Sequence, residues 1–243
     1  MLNKDTAICL RKTDFSETSQ VVTFFTKDAG KLAALAKGSR RKKSSFDGAI
    51  EVFSYGHIVY TQTATAKLAT LTEFAQMPIF QFLSRSLTSL NSGLFAVELL
   101  DYFTENYDPH PDLFDSLVHF LTDVQMATDT SSALRLLILF QLTLLNEVGT
   151  RPLLARCANC KIPFSSGWPF YYFSSIANGI ICPDCEFSFA DKIRLSPQTA
   201  SVLADLKTIA EANERTLKEI EKTLISHFTE LMHRKPKMAK YFR

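Results

Sequence analysis

At Pro78 the grouping of apolar residues along this chain changes, and that change restricts the fold more than any other feature of the sequence. Before it lie short runs rich in Val, Ile, Leu, Thr and Phe, at residues 7–12, 20–26, 31–36, 50–60 and 67–74. Turn-forming residues separate them, with Asp28-Ala29-Gly30 between the second and third and a polar loop from Gly38 to Gly48 before the fourth. About five short strands in about 75 residues suit a small antiparallel barrel of the OB type, with an SH3-like barrel giving much the same pattern. After Pro78 the apolar spacing is near 3.6. Residues 79–106 read as one long helix or two shorter ones broken near Asn91-Ser92-Gly93. Further helices are expected at 112–126, at 133–148 with Ser131 or Ser132 as cap, at 196–212 with Ser196 as cap and Pro197 at the first position, and at 215–232. The fold class is therefore α+β multidomain: an N-terminal five-stranded OB-type barrel (1–78), then an all-α domain (79–155 and 187–243) interrupted by a cysteine-bearing insertion (156–186).

That insertion carries Cys157-x-x-Cys160 and Cys182-x-x-Cys185, with 21 residues between the pairs. Two thiolates three positions apart on a tight turn converge on one ion, and two such knuckles complete the tetrahedral four-sulfur shell that Zn²⁺ accepts. A closed shell leaves no position for water, so the expected role is structural; metal binding worth roughly 10 to 16 kcal/mol folds a segment with little core of its own. A thiol redox pair and an iron–sulfur centre are the alternatives. Residues 168–173 with Asn178-Gly179 read as a hairpin whose aromatics cover the site. Cys9, alone in the first strand, reads as a small buried hydrophobe. Paired cysteines used for metal point to a reducing compartment, the cytoplasm, and no apolar run approaches the length of a membrane helix.

The net charge of +2 hides a strong division. Residues 1–50 sum to +5, residues 51–150 to −8 and residues 151–243 to +5. In the first segment, Lys37, Arg40, Arg41, Lys42 and Lys43 stand with three serines in nine residues, without an acid. Cations and hydroxyl donors on a loop are what phosphate contacts require, so a barrel bearing this loop is expected to bind nucleic acid with little sequence preference. Arg11, Lys12 and Lys31 are expected to assist. Phe15, Phe24, Phe25 and Tyr55 are candidates for base stacking, and the basic tail from Arg234 to Arg243 is a weaker second candidate for phosphate contact. No phosphate-binding GxxxxGK[ST] loop, GxGxxG, HExxH or GxSxG motif occurs, which favours a binding protein over an enzyme. The carboxylates Asp101, Glu105, Asp108 and Asp112 read as a solvated face.

The order of these features resembles one family. Ala7-Ile-Cys-Leu10, Asp14, Glu17, Val22-Thr23, Gly30, Gly38 with the basic loop and Leu71 are followed by a helical stretch. Then comes Phe140-Gln-Leu142-x-Leu-Leu145-x-x-x-Gly149-x-x-Pro152-x-Leu154-x-x-Cys157-x-x-Cys160. This series is similar to that of the bacterial recombination mediators of the RecO family. The resemblance implies a non-enzymatic DNA repair protein that binds single- and double-stranded DNA and anneals complementary strands. It also implies work with RecR, and often RecF, in loading RecA onto single strands coated by SSB. It further implies an apolar groove with a basic rim on the helical domain for the acidic tail of SSB, here with Leu136, Phe140 and Leu144 beside Arg135, Arg151 and Arg156 as candidates. Two departures stand out: the stretch after Pro78 is rich in Ser and Thr, and Gln141 occupies a place where Glu is common. From the residues alone, a zinc-ribbon adaptor or an RNA-binding factor on a barrel is the alternative.

Overall fold

The computed structural model describes residues 2–41, 46, 48–62 and 68–242. Among these the chain forms two compact units, residues 1–84 with 100–125 and residues 85–99 with 126–243.

The first unit is built on a closed barrel of β1 (Leu2–Asp14), β2 (Gln20–Thr26), β3 (Gly30–Ala36), β4 (Tyr55–Thr61) and β5 (Ala69–Met77), in the order β1-β2-β3-β5-β4. β3 and β5 pair in parallel through Ala34–Ala36 and Ala69–Leu71, and the other pairs are antiparallel. β1 is long enough to pair with β4 through residues 2–8 and with β2 through 7–14; an irregularity between Cys9 and Arg11 bends it from one partner to the other. Period-two alternation fills the interior. In β3, Leu32, Ala34 and Ala36 point inward, meeting Phe24, Ile58 and Phe74 from the other strands. The fourth strand starts at Tyr55 rather than Ile50, because Ser54 N–H donates to Glu51 O across a turn with Phe53 at φ +72°.

β2 is buried on both faces, and its outer face explains why residues 100–125 belong to the barrel's unit. Phe25 meets Phe114 of α2 (Pro111–Val124) at 6.0 Å between ring centroids, and Tyr55 lies between Phe114 and Phe80. Lys27 pairs with Asp115 at 2.8 Å. Gly30 at the β2–β3 turn has φ +73°, and a Cβ there would stand 2.1 Å from the Asp108 carbonyl oxygen, so only glycine admits the 106–108 segment. Tyr107 N–H donates to Lys31 O beside it.

The second unit contains most of α1 (Leu87–Phe103), then α3 (Thr130–Glu147), α4 (Pro197–Ala204) and α5 (Glu214–Met232), with a small sheet of β6 (Tyr171–Ser174), β7 (Gly179–Ile181) and β8 (Ile193–Leu195). α1 runs unbroken through Asn91-Ser92-Gly93, so of the two arrangements that the spacing allows the single helix forms, over a shorter span than 79–106. A mid-helix glycine costs about 1 kcal/mol, which burial of Phe95, Ala96, Val97, Leu99 and Leu100 outweighs. Asp129, not Ser131 or Ser132, caps α3: its carboxylate accepts from Ser132 N–H at 2.8 Å, and these bonds hold its pKa below the ordinary carboxylate range. The helix expected over 196–212 stops at Ala204. Asp205 leaves the helical region at φ −133° and caps a separate 3₁₀ turn over Leu206–Glu211. The basic tail folds back: Glu98 accepts N–H bonds from Lys237 and Met238 at 2.7 and 2.8 Å, and Phe242 stacks on Phe95. Among the described residues no helix is long and apolar enough to cross a membrane.

Candidate nucleic-acid interface and metal centre

The basic loop begins where β3 ends, and its roots are fastened by one buried side chain. Gln20 Oε1 accepts from Ser39 Oγ at 2.9 Å and from Ile50 N–H at 3.1 Å, while its Nε2 donates to Ile50 O at 3.2 Å. Both ends of the loop are thereby tied to the first residue of β2, in a buried setting where each bond is costly to lose. The loop also leans on the β1–β2 turn: Gly38 N–H donates to Ser19 Oγ, Arg40 N–H donates to Thr18 O, and the Arg40 guanidinium pairs with Asp14 at 3.2 Å. Gly38 at φ +76° lets the chain reverse so that Arg41 N–H reaches Gly38 O. Lys37, Arg40 and Arg41 are exposed; Lys42 and Lys43 lie outside the described residues.

The assisting cations are spoken for to different degrees. Lys31 retains only 11 % side-chain exposure and binds Asp101 through both its carboxylate and its carbonyl oxygen, so it is a structural tie rather than a free phosphate contact. Asp101 also sits 3.7 Å from Arg11, which stays 66 % exposed, and Lys12 pairs with Glu51 at 2.6 Å. Asp101 thus joins β1 and β3 instead of forming part of a solvated acidic face. Phe24 and Phe25 are buried and Tyr55 packs against Phe80 and Phe114, which removes all three as base-stacking candidates; Phe15 is exposed. Sequence reasoning missed Gln20 and the buried role of Ser39, and misread Asp101. The pairing of a buried glutamine with residues 19 and 30 positions away leaves no local trace.

In the second unit, Cys157, Cys160, Cys182 and Cys185 present sulfurs that all lie within 4.8 Å of one another. Cys160 and Cys182 are 3.7 Å apart, against about 3.8 Å for the edge of a tetrahedron built on zinc–sulfur bonds of about 2.3 Å. The donor set fits a closed tetrahedral shell. Cys182 N–H and Asn159 Nδ2 donate to the sulfurs of Cys157 and Cys185 at 3.4 and 3.3 Å, the outer contacts that orient and stabilise thiolates. Burial by itself pushes the Cys157 thiol up, and N–H donors from Cys182, Cys160 and Asn159 outweigh it, holding the group at about 7. Cys182 is pushed up to about 12 by burial and by neighbouring thiols, so a metal must displace its proton. Trp168 and Tyr172 pack against the cluster. Cys9 belongs to the first unit, buried in the barrel core with its thiol pushed up by desolvation.

The groove residues do not assemble as expected. Phe140 and Leu144 are buried in the core and Leu136 is half-buried, because α3 is covered nearly all round. Arg135 is occupied by the carbonyls of Ser131 and Ala210, while Arg151 and Arg156 are exposed. An open cavity of about 770 Å³ lies on another side of α3, lined by Leu139, Leu142, Leu153, Leu154 and Leu206 with Arg151 and Lys207 at its edge.

The family profile described as recombination protein O N terminal matches residues 1–78, and that described as recombination protein O C terminal matches residues 84–239. This chain belongs to the RecO family. It is 32 % identical over 211 residues to the DNA repair protein RecO of Rhodopirellula baltica, covering 87 % of this chain and 77 % of that protein. The RecO of Bacillus pumilus is 29 % identical over 237 residues (95 % and 89 %), and that of Bacillus subtilis 27 % over 237 residues (95 % and 89 %). The closed OB-type barrel, the helical domain and the cysteine cluster are thus those of a RecO-family DNA repair and recombination protein. The two RecO profiles meet between residues 78 and 84, whereas packing assigns residues 100–125 to the barrel's unit.

Proposed function

We propose that this RecO-family chain is a non-enzymatic recombination mediator that binds single- and double-stranded DNA through the basic end of its barrel and anneals complementary strands. Its partners would be RecR and SSB-coated single strands on which RecA is loaded, with RecF an accessory, in the bacterial cytoplasm at the nucleoid. The observation that carries the reading is the loop of Lys37, Arg40 and Arg41, rooted through Gln20 and Ser39 in a closed barrel of this family. Fixed roots hold the cations together at one end of the barrel, and the exposed guanidiniums keep donors for phosphate oxygens. The bound metal is zinc: four thiolates form a closed shell that suits it, and its role is to hold the 156–186 segment, with the barrel (1–78) binding DNA and the flanking helices (79–155 and 187–243) forming the scaffold.

For the SSB tail, we assign the groove of Leu139, Leu142 and Leu206 rather than the buried Phe140 and Leu144. Its apolar lining suits a terminal aromatic residue, and Arg151 and Lys207 supply positive charge for the acidic tail. The deciding experiment is annealing of complementary strands coated with SSB. The full chain is expected to accelerate it, Arg151→Glu with Lys207→Glu to lose the effect on coated but not on bare strands, and Arg40→Glu with Arg41→Glu to lose both. Equal annealing by wild type and the loop variant, or tighter binding of RNA than of DNA in competition, would overturn the proposal.

A further inference from the structure

We propose that Phe15 is a base-stacking residue that gives the basic end of the barrel a preference for single-stranded over duplex nucleic acid. This rests on the DNA-binding reading above and adds a specificity determinant to the same site. Phe15 is 66 % exposed at the start of the connection between β1 and β2, directly after the last residue of β1. Its backbone is fixed: its N–H donates to Ser19 O at 2.9 Å, Ser16 N–H donates to the same carbonyl at 3.2 Å, and Thr18 N–H donates to Ser16 Oγ at 3.4 Å. The turn that presents the ring is also locked to the cationic loop, through Arg40 N–H to Thr18 O at 3.1 Å, Gly38 N–H to Ser19 Oγ at 3.3 Å, and the Arg40–Asp14 ion pair. An open aromatic face and phosphate-binding guanidiniums therefore occupy one braced pair of loops, the combination that grips a strand by its bases and backbone together.

The other exposed phenyl rings each have a cation over the ring: Arg194 lies 4.4 Å from the centroid of Phe170, and Lys192 lies 5.4 Å from that of Phe187, which is itself 88 % exposed, whereas no cation or ring stacks on Phe15 among the described residues. Glu17 in the same turn disfavours phosphate on its side, and Asp14 takes one edge of the Arg40 fork. The backbone is thus directed toward Arg41 and the remaining donors of Arg40. A duplex keeps its base faces stacked on one another and offers nothing to this ring; a single strand offers an unpaired face.

The test uses the full chain and three fluorescently labelled ligands of equal length: oligothymidylate, the same sugar–phosphate chain with abasic residues, and a duplex. Phe15→Ala is expected to weaken oligothymidylate binding roughly 5- to 150-fold, the range found when a stacked aromatic is truncated. The abasic and duplex affinities should change by less than about twofold, since phosphate contacts carry them. Phe15→Trp should bind as wild type does, with its indole emission quenched by thymine and not by the abasic chain. An unchanged oligothymidylate affinity in Phe15→Ala, or an equal loss on the abasic chain, overturns the proposal. If that happens while Arg40→Glu with Arg41→Glu weakens all three ligands, the stacking role alone falls. If wild type binds none of the three, the DNA-binding reading falls with it.

Discussion

Two buried titratable groups on α5 oppose one another, and separating them by mutation is expected to expose a pH dependence that the wild type conceals. Glu221 is fully buried with Gln141 Nε2 at 2.9 Å as its one hydrogen-bond partner among the described residues, and desolvation raises its pKa from an ordinary 4.5 to about 7. His227 is buried beside Phe173 at 5.3 Å, neither ring nitrogen having a hydrogen-bond partner among the described residues, and desolvation lowers its pKa from 6.5 to about 4. The carboxyl group holds its proton more tightly folded than unfolded, so its contribution is full below pH 4.5 and is lost as pH rises to about 7. The imidazole holds its proton less tightly folded, so its contribution is full above pH 6.5 and is lost as pH falls to about 4. Moving a pKa from 4.5 to about 7, or from 6.5 to about 4, corresponds to about 3 kcal/mol. Between pH 4.5 and 6.5 the two slopes have opposite sign and similar size, and they cancel. Urea unfolding at a series of pH values, read as variant minus wild type, isolates these groups from the other carboxylates and from the metal site. Glu221→Gln is expected to gain about 3 kcal/mol relative to wild type between pH 4.5 and 7, His227→Phe to gain about 3 kcal/mol as pH falls from 6.5 to 4, and the double variant to show both. A pH-independent difference for Glu221→Gln would refute the assignment of a neutral carboxyl group to the folded state.

Replacing Cys157 by Ser should release the bound metal and loosen the 156–186 segment; retention of a full equivalent of zinc by elemental analysis would refute the four-sulfur shell. Gln20→Ala leaves the Ile50 N–H and carbonyl without their partner and should cost about 1 to 3 kcal/mol in unfolding, with faster amide exchange at Ile50. Gly30→Ala forces a Cβ against the Asp108 carbonyl at a left-handed φ, and a loss of at least about 2 kcal/mol is expected in the same assay. Reversing Arg40, Arg41, Lys42 and Lys43 to Glu should abolish DNA binding with an unchanged thermal midpoint, and in wild type the logarithm of affinity should fall linearly with the logarithm of salt.

The features legible in the sequence share one property: each is written in neighbouring residues. The strand runs before Pro78, the helical spacing after it, the two CxxC knuckles and the cations of residues 37–43 all declare themselves within a few positions, since backbone periodicity, metal-ligand geometry and charge density act over that range. Other details were left open or misassigned. α1 crosses Asn91-Ser92-Gly93 as one helix because its flanking apolar residues are buried, and Asp129 rather than Ser131 or Ser132 caps α3 because its carboxylate reaches Ser132 N–H. Phe140 and Leu144, candidates for the groove that the family resemblance implies, are core, because a helix apolar on nearly every side gives no hint of which side stays open.

By itself, then, the sequence determined that this chain has a strand-rich first part, a helical second part, a four-cysteine cluster that could hold a metal ion and a basic loop, and the family to which it belongs. Only the tertiary structure decided which cations are free. Lys31 and Arg11 converge on Asp101, some 70 and 90 positions away, Arg40 on Asp14, and the loop's two roots on Gln20. Ion pairs and buried hydrogen bonds form wherever folding brings complementary groups within about 3 to 4 Å, and sequence separation has no bearing on that distance.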